Sequence, residues 1–278
     1  MTRFAAGLEY DGTAYSGWQS QQRGVPSIQE HAEHAFSRVA DSPVSLVCAG
    51  RTDAGVHARW QVAHFESDAI RPLRGWVLGA NTYLPRDISV AWVLPVPAHF
   101  HARYSAESRT YRYFIFNRRV RSALVAKRAA HIHRSLDHER MNAATAALVG
   151  SHDFSAFRSS ECQAKSPVRR LTRLTVERDG DWVAIEVTAN AFLHHMVRNI
   201  AGLLIAIGRG ERAPEWARAV LESRDRTCGH VTAPAEGLYF WSVQYPEAFG
   251  LPTAAAGILT PPGLTRLDRS AIIPAPFG

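Results

Sequence analysis

Gly50-Arg51-Thr52-Asp53-Ala54-Gly55-Val56-His57-Ala58 sets a carboxylate between two glycines, directly after an apolar run at 44–49 that has the composition of a buried strand. Such a loop presents a side chain into a cleft while the strand fixes where it starts. An aspartate placed there is a candidate nucleophile: a carboxylate needs no deprotonation at neutral pH and forms covalent adducts with electrophilic carbons. The alternative is an Asp that only caps the turn. Arg51 lies two residues before it, and Arg198 lies inside the apolar stretch Phe192-Leu193-His194-His195-Met196-Val197-Arg198-Asn199-Ile200. An arginine so flanked either points at a carboxylate or phosphate, because burying it alone is costly, or rides the polar stripe of an amphipathic helix. Paired with Asp53, it would hold the acid ionised.

A third cluster is Phe100-His101-Ala102-Arg103-Tyr104, followed by Arg109-Thr110-Tyr111-Arg112-Tyr113. On a strand Arg109, Tyr111 and Tyr113 share one face, and Thr110 and Arg112 the other. Rings beside guanidinium groups suit stacking on bases while phosphates are held, although a tyrosine here also serves as filler between strands. His194-His195 lacks the H-E-x-x-H pattern and has no cysteine at ligand spacing, so no catalytic metal is expected. Without a Walker loop, a dinucleotide fingerprint or a G-x-S-x-G elbow, no cofactor is expected either.

The charge balance fits a polyanionic partner. Lys+Arg number 32 against 25 Asp+Glu, a formal charge of +7, and only Lys127 and Lys165 among the cations are lysines. Guanidinium forks match phosphate and base edges better than ammonium does. Coding bias toward arginine is the plainer explanation of the same excess. Cys48, Cys162 and Cys228 fit neither a disulfide framework nor metal spacing, which implies reduced thiols. The apolar run 200–207 is far shorter than the roughly 20 residues that span a bilayer, and the N-terminal stretch alternates, so a cytoplasmic protein with no membrane association is expected.

The elements that must position these groups follow from periodicity. Alternation predicts strands over 3–11, 44–49, 61–66, 88–94, 109–117, 170–178, 182–188 and 238–244. Ser27-Ile28-Gln29-Glu30 has the form of a capping box ahead of a helix over 27–40, and further helices are predicted over 72–83, 137–149 and 191–207. The order fits a mixed α+β fold: two similar halves, 1–105 and 106–246, with antiparallel or mixed sheets flanked by helices that meet at a basic cleft. The stretch 247–278, rich in Pro, Gly and Ala, reads as a poorly structured tail.

Together the segments 9–19 (EYDGTAYSGWQ), 27–30 (SIQE), 48–58 (CAGRTDAGVHA), 100–106 (FHARYSA), 111–113 (YRY), 161–165 (ECQAK), 190–200 (NAFLHHMVRNI) and 235–246 (AEGLYFWSVQYP) closely resemble the tRNA pseudouridine synthase A family over about residues 3–246. The resemblance implies that Asp53 is the catalytic aspartate, that Tyr111 lies against the target uracil, that Arg198 partners Asp53, and that Arg51 fills the space left by a displaced base. It also implies RNA contacts at Phe100, His101, Ala102, Arg103, Tyr104 and Arg119, and at Glu161, Cys162, Gln163, Ala164 and Lys165. Tyr104 stands where the family often has phenylalanine. The implied activity is isomerisation of uridines 38, 39 and 40 in the anticodon stem-loop of tRNA by a homodimer, without a cofactor. An RNA N-glycosylase and a noncatalytic RNA-binding protein are the rival functions.

Overall fold

Alternating apolar residues and the turns between them give β1 (Thr2–Tyr10), β2 (Val47–Cys48), β3 (His57–Ser67), β4 (Ile88–Pro95), β5 (Ser108–Asn117), β6 (Ala130–Ile132), β7 (Gly150–Asp153), β8 (Val168–Asp179), β9 (Trp182–Ala189) and β10 (Leu238–Gln244). The helices are α1 (Ile28–Ala40), α2 (Leu73–Tyr83), α3 (His138–Thr145), α4 (Met196–Gly208) and α5 (Trp216–Ser223). The structure is a computed structural model and describes residues 1–21 and 24–253. The mixed α+β architecture is as expected. Its strands run in one continuous sheet, β4-β1-β3-β10-β5-β9-β8-β7, with β2 paired to β3 and β6 to β5.

The sheets of the two halves join edge to edge, and β10 makes the join. It pairs parallel with β3 (Tyr239 opposite His57, Phe240 opposite Ala58) and antiparallel with β5 (Phe240 opposite Tyr111). Either neighbour would otherwise expose an unpaired backbone edge.

One face of the sheet carries the helices. Ser27 caps α1, its hydroxyl accepting from the Glu30 N–H at 3.2 Å as the sequence pattern predicts. Phe36 of α1 and Trp76 of α2 then pack on Phe65 of β3, with ring centroids 4.7 and 5.2 Å away. On the other half, α4 is apolar after its first turn, which carries Arg198 and Asn199, and is buried along nearly its whole length. Each fully buried Leu or Ile on it contributes about 1.5–3 kcal/mol.

Element boundaries differ from expectation in two places that matter. The 44–49 strand shrinks to β2, because before it the backbone is tied to α1, the Val44 N–H donating to Ser37 Oγ and the Leu46 N–H to Glu33 Oε1. The predicted helix 191–207 starts only at Met196, because His195 takes a left-handed conformation with φ 63°. Residues 191–195 are therefore a loop, although their apolar spacing mimics a helix.

Residues 247–249 form a short turn that brings the Phe249 ring to 5.0 Å from Phe100. The remainder of the expected tail, 254–278, lies outside the described residues. All three cysteines are free. Among the described residues no helix is long and apolar enough to cross a membrane.

Candidate functional site

The seam β3-β10-β5 places the Asp53 loop beside Tyr111, since the loop runs straight into β3 and Tyr111 sits on β5, one strand beyond β10. Backbone contacts pin the loop at several points. The Trp18 N–H donates to the Thr52 carbonyl at 2.9 Å, the Val56 N–H to the Asp53 carbonyl at 3.1 Å, and the Gln61 side-chain amide to the Gly50 carbonyl at 2.7 Å. The Tyr10 and Thr52 hydroxyls share a hydrogen bond of 2.8 Å beneath.

The two glycines work differently. Gly55 sits at φ +74°, a conformation L residues rarely adopt, whereas a Cβ on Gly50 would lie 2.9 Å from the Phe240 ring and 3.5 Å from the Tyr111 hydroxyl. The first provides the turn and the second the close approach of the loop to the ring.

Asp53 is partly exposed at the floor of a cleft of about 1080 Å³. Its Oδ2 lies 3.7 Å from the Arg198 Nη1, so the pairing expected from sequence is present. Arg198 is aimed by a second contact, its Nε donating to the Ala233 carbonyl at 2.8 Å while the Ala233 N–H returns a bond to the Arg198 carbonyl. Tyr111 is buried, and Phe192 and Phe240 meet its ring edge-on at 5.0 and 5.1 Å. Burial first, and then Tyr10 and the Asp53 charge, push its phenol far above the ordinary value, so it stays protonated.

Arg51, Arg103, Glu161, Cys162, Gln163 and Ala164 line the same cleft, as do Arg109 and Arg169. Five arginines, counting Arg198, thus face it against the two acids Asp53 and Glu161. Other expected RNA contacts are elsewhere. Phe100 and Ala102 are fully buried, and Phe100 packs on Tyr245 at 5.1 Å, so their side chains hold the segment in place. His101 is half-buried and accepts from the Arg103 and Tyr104 N–H groups, with its ring 4.3 Å from that of Tyr104, which is 76% exposed. Arg119 is exposed on the loop after β5 and Lys165 is exposed beyond Ala164; neither lines the cleft.

Two features escape the sequence. His194 and His195 meet Asp53 directly, with Nε2 to Oδ1 at 3.2 Å and Nε2 to Oδ2 at 3.4 Å. The only signal was a histidine pair just ahead of Arg198, too short for a metal motif. Burial lowers the His195 imidazole below its ordinary value, His194 and Arg198 add to this, and Asp53 and Glu161 oppose it. The three donor atoms lie within 4.8 Å of one another, close enough to surround a divalent ion. The Arg198 guanidinium beside Oδ2 disfavours a second cation there, and each imidazole already has its own carboxylate oxygen as partner.

Arg109 is the other. On the sequence it is one more cation beside aromatic residues; in the fold it is buried, and its guanidinium donates to the carbonyls of Ala106 (3.1 Å), Asn190 (2.9 Å), Ala49 (3.3 Å) and Arg103. It joins the loops that carry Asp53, the histidine pair and Arg103.

A carboxylate between a guanidinium and a buried ring, at the floor of an arginine-lined cleft, is the equipment of an enzyme acting on a nucleotide drawn out of its RNA. Comparison with known proteins narrows the class. The family model described as tRNA pseudouridine synthase matches residues 6–105 and 144–246. The tRNA pseudouridine synthase A of Methylococcus capsulatus is 55% identical over 249 residues, covering 90% of this chain and 92% of the relative. That of Pseudoalteromonas atlantica is 53% identical over 257 residues (92% and 97%), and that of Pseudomonas aeruginosa 52% over 257 residues (92% and 90%). This chain belongs to the tRNA pseudouridine synthase family.

Proposed function

We propose that the protein isomerises uridine to pseudouridine at positions 38, 39 and 40 in the anticodon stem-loop of tRNA, acting in the cytoplasm as a homodimer. The observation that carries this is Asp53 held by Arg198 beside the Tyr111 ring in a cationic cleft, within a chain of this family. The reaction breaks the N1–C1′ bond, turns the uracil in place and joins C5 to C1′. The C5 proton leaves and N1 gains one, so no net oxidation occurs and no cofactor is required.

Asp53 is the group that attacks or deprotonates the nucleoside, at C6, at C1′ or at a sugar proton. Tyr111 supports the uracil with its ring. Arg51, exposed at the rim, fills the stack that the flipped base leaves. Unstacking costs about a few kcal/mol, which aromatic contact and arginine insertion offset in part. The cleft walls keep the cleaved uracil in reach of C1′.

Purified protein incubated with unmodified tRNA, with pseudouridine mapped at nucleotide resolution, tests this. Asp53→Asn abolishes product while tRNA binding stays within about tenfold. Free uracil in solution would instead indicate an N-glycosylase, and substantial pseudouridine from the variant would remove Asp53 from the chemistry.

A further inference from the structure

His194 and His195 lie at the end of the 190–195 loop, and their rings are tilted at 34° with centroids 4.0 Å apart. Two adjacent side chains here reach the two oxygens of one carboxylate, which an ordinary helix start would not allow, because successive residues on a helix point about 100° apart. The left-handed turn at His195, φ 63°, makes it possible. That conformation is sparsely populated by non-glycine residues and costs free energy, and such strain concentrates where a site needs it. The turn offers α4 no compensation, since His195 makes no side-chain cap to the helix.

We propose that His194 and His195 are positioning residues for Asp53: one imidazole Nε2 faces each carboxylate oxygen, at 3.2 and 3.4 Å, and the pair fixes the rotation of the acid toward the flipped uridine. This rests on the isomerase activity proposed above. Arg198 alone cannot set that rotation, because it approaches only Oδ2, at 3.7 Å, farther than either imidazole lies from its own oxygen. With the imidazoles in place both oxygens are constrained, and misorientation of a reacting group by even small amounts is expensive in rate. The other charged groups near the pair are Arg198 and Glu161, both in the cleft.

Four variants test it: His194→Ala, His194→Gln, His195→Asn and His195→Gln. Glutamine carries a neutral N–H donor at about the reach of an imidazole Nε2, whereas alanine and asparagine do not, and asparagine tolerates the left-handed backbone at 195. Single-turnover assays with unmodified tRNA are expected to show His194→Ala and His195→Asn slowed about thirtyfold with tRNA affinity within threefold, and both glutamine variants recovering to within about fivefold of the parent. Melting temperatures check that all four fold. Turnover of His194→Ala and His195→Asn within twofold of the parent would overturn the proposal. So would glutamine variants as slow as the truncations, or affinity falling in step with rate. A parent protein that makes no pseudouridine would sink the activity itself, and that outcome is distinct because it precedes any variant.

Discussion

Replacing Arg109 with methionine removes five N–H donors from a buried position and keeps only an apolar stem that stops short of the guanidinium. Four backbone carbonyls lose a partner: Ala106, Asn190, Ala49 and Arg103. A hydrogen bond from a charged donor contributes about 1.5–3 kcal/mol, but burying the guanidinium has its own desolvation cost, which burial shows by lowering its pKa. The net loss is therefore about 3–5 kcal/mol, near 10 °C in melting temperature for a chain of this size. Arg109→Lys falls between the two, since a compact ammonium cannot reach all four acceptors. Thermal and urea denaturation measure the loss, and single-turnover assays well below the melting point measure its effect on rate. Turnover should fall in Arg109→Met even where the protein is fully folded, because Ala49 begins the Asp53 loop and Asn190 begins the loop of the histidine pair. A destabilisation under about 1 kcal/mol, or a lysine variant as stable as the parent, would refute the role of a buried strut.

Tyr111→Phe keeps the ring packed on Phe192 and Phe240 and removes the hydroxyl next to Gly50. The melting temperature should hold while turnover drops about a hundredfold, and unchanged turnover would show the hydroxyl to be idle. His64 gives a pH effect on stability. Burial, with His101 and Arg3 adding to it, pushes its imidazole from 6.5 down to about 4. The unfolded chain takes up this proton near 6.5 and the folded chain only near 4, so stability is full above that window and declines as pH falls through it, by up to about 3 kcal/mol. Urea titrations at pH 7 and 4.5 should show less pH dependence in His64→Gln than in the parent, and equal dependence would exclude His64 as the source.

The Asp53 loop was legible from its glycines and from the strand before it, and the α1 cap from four residues, because turn chemistry and capping are local. What local pattern cannot show is the consequence of one dihedral. The stretch 191–195 has helical apolar spacing, and only the left-handed turn at His195 frees the two imidazoles to meet an acid far away in sequence. Arg109 illustrates the same limit: its neighbours on β5 suggest an RNA contact, while the acceptors that bury it come from segments before and after it in the chain. Phe100 and Ala102 share a motif with the exposed Tyr104, but the chain turns at 102–105, closed by the Ser105 N–H on the His101 carbonyl, which leaves the first two in the core and Tyr104 outside.

Because β10 is the partner that both β3 and β5 need, the floor of the cleft closes only after residues 238–244 have left the ribosome and threaded between two strands made long before. A growing polypeptide therefore carries Asp53 and Tyr111 without the geometry that joins them, and competence arrives in one late step.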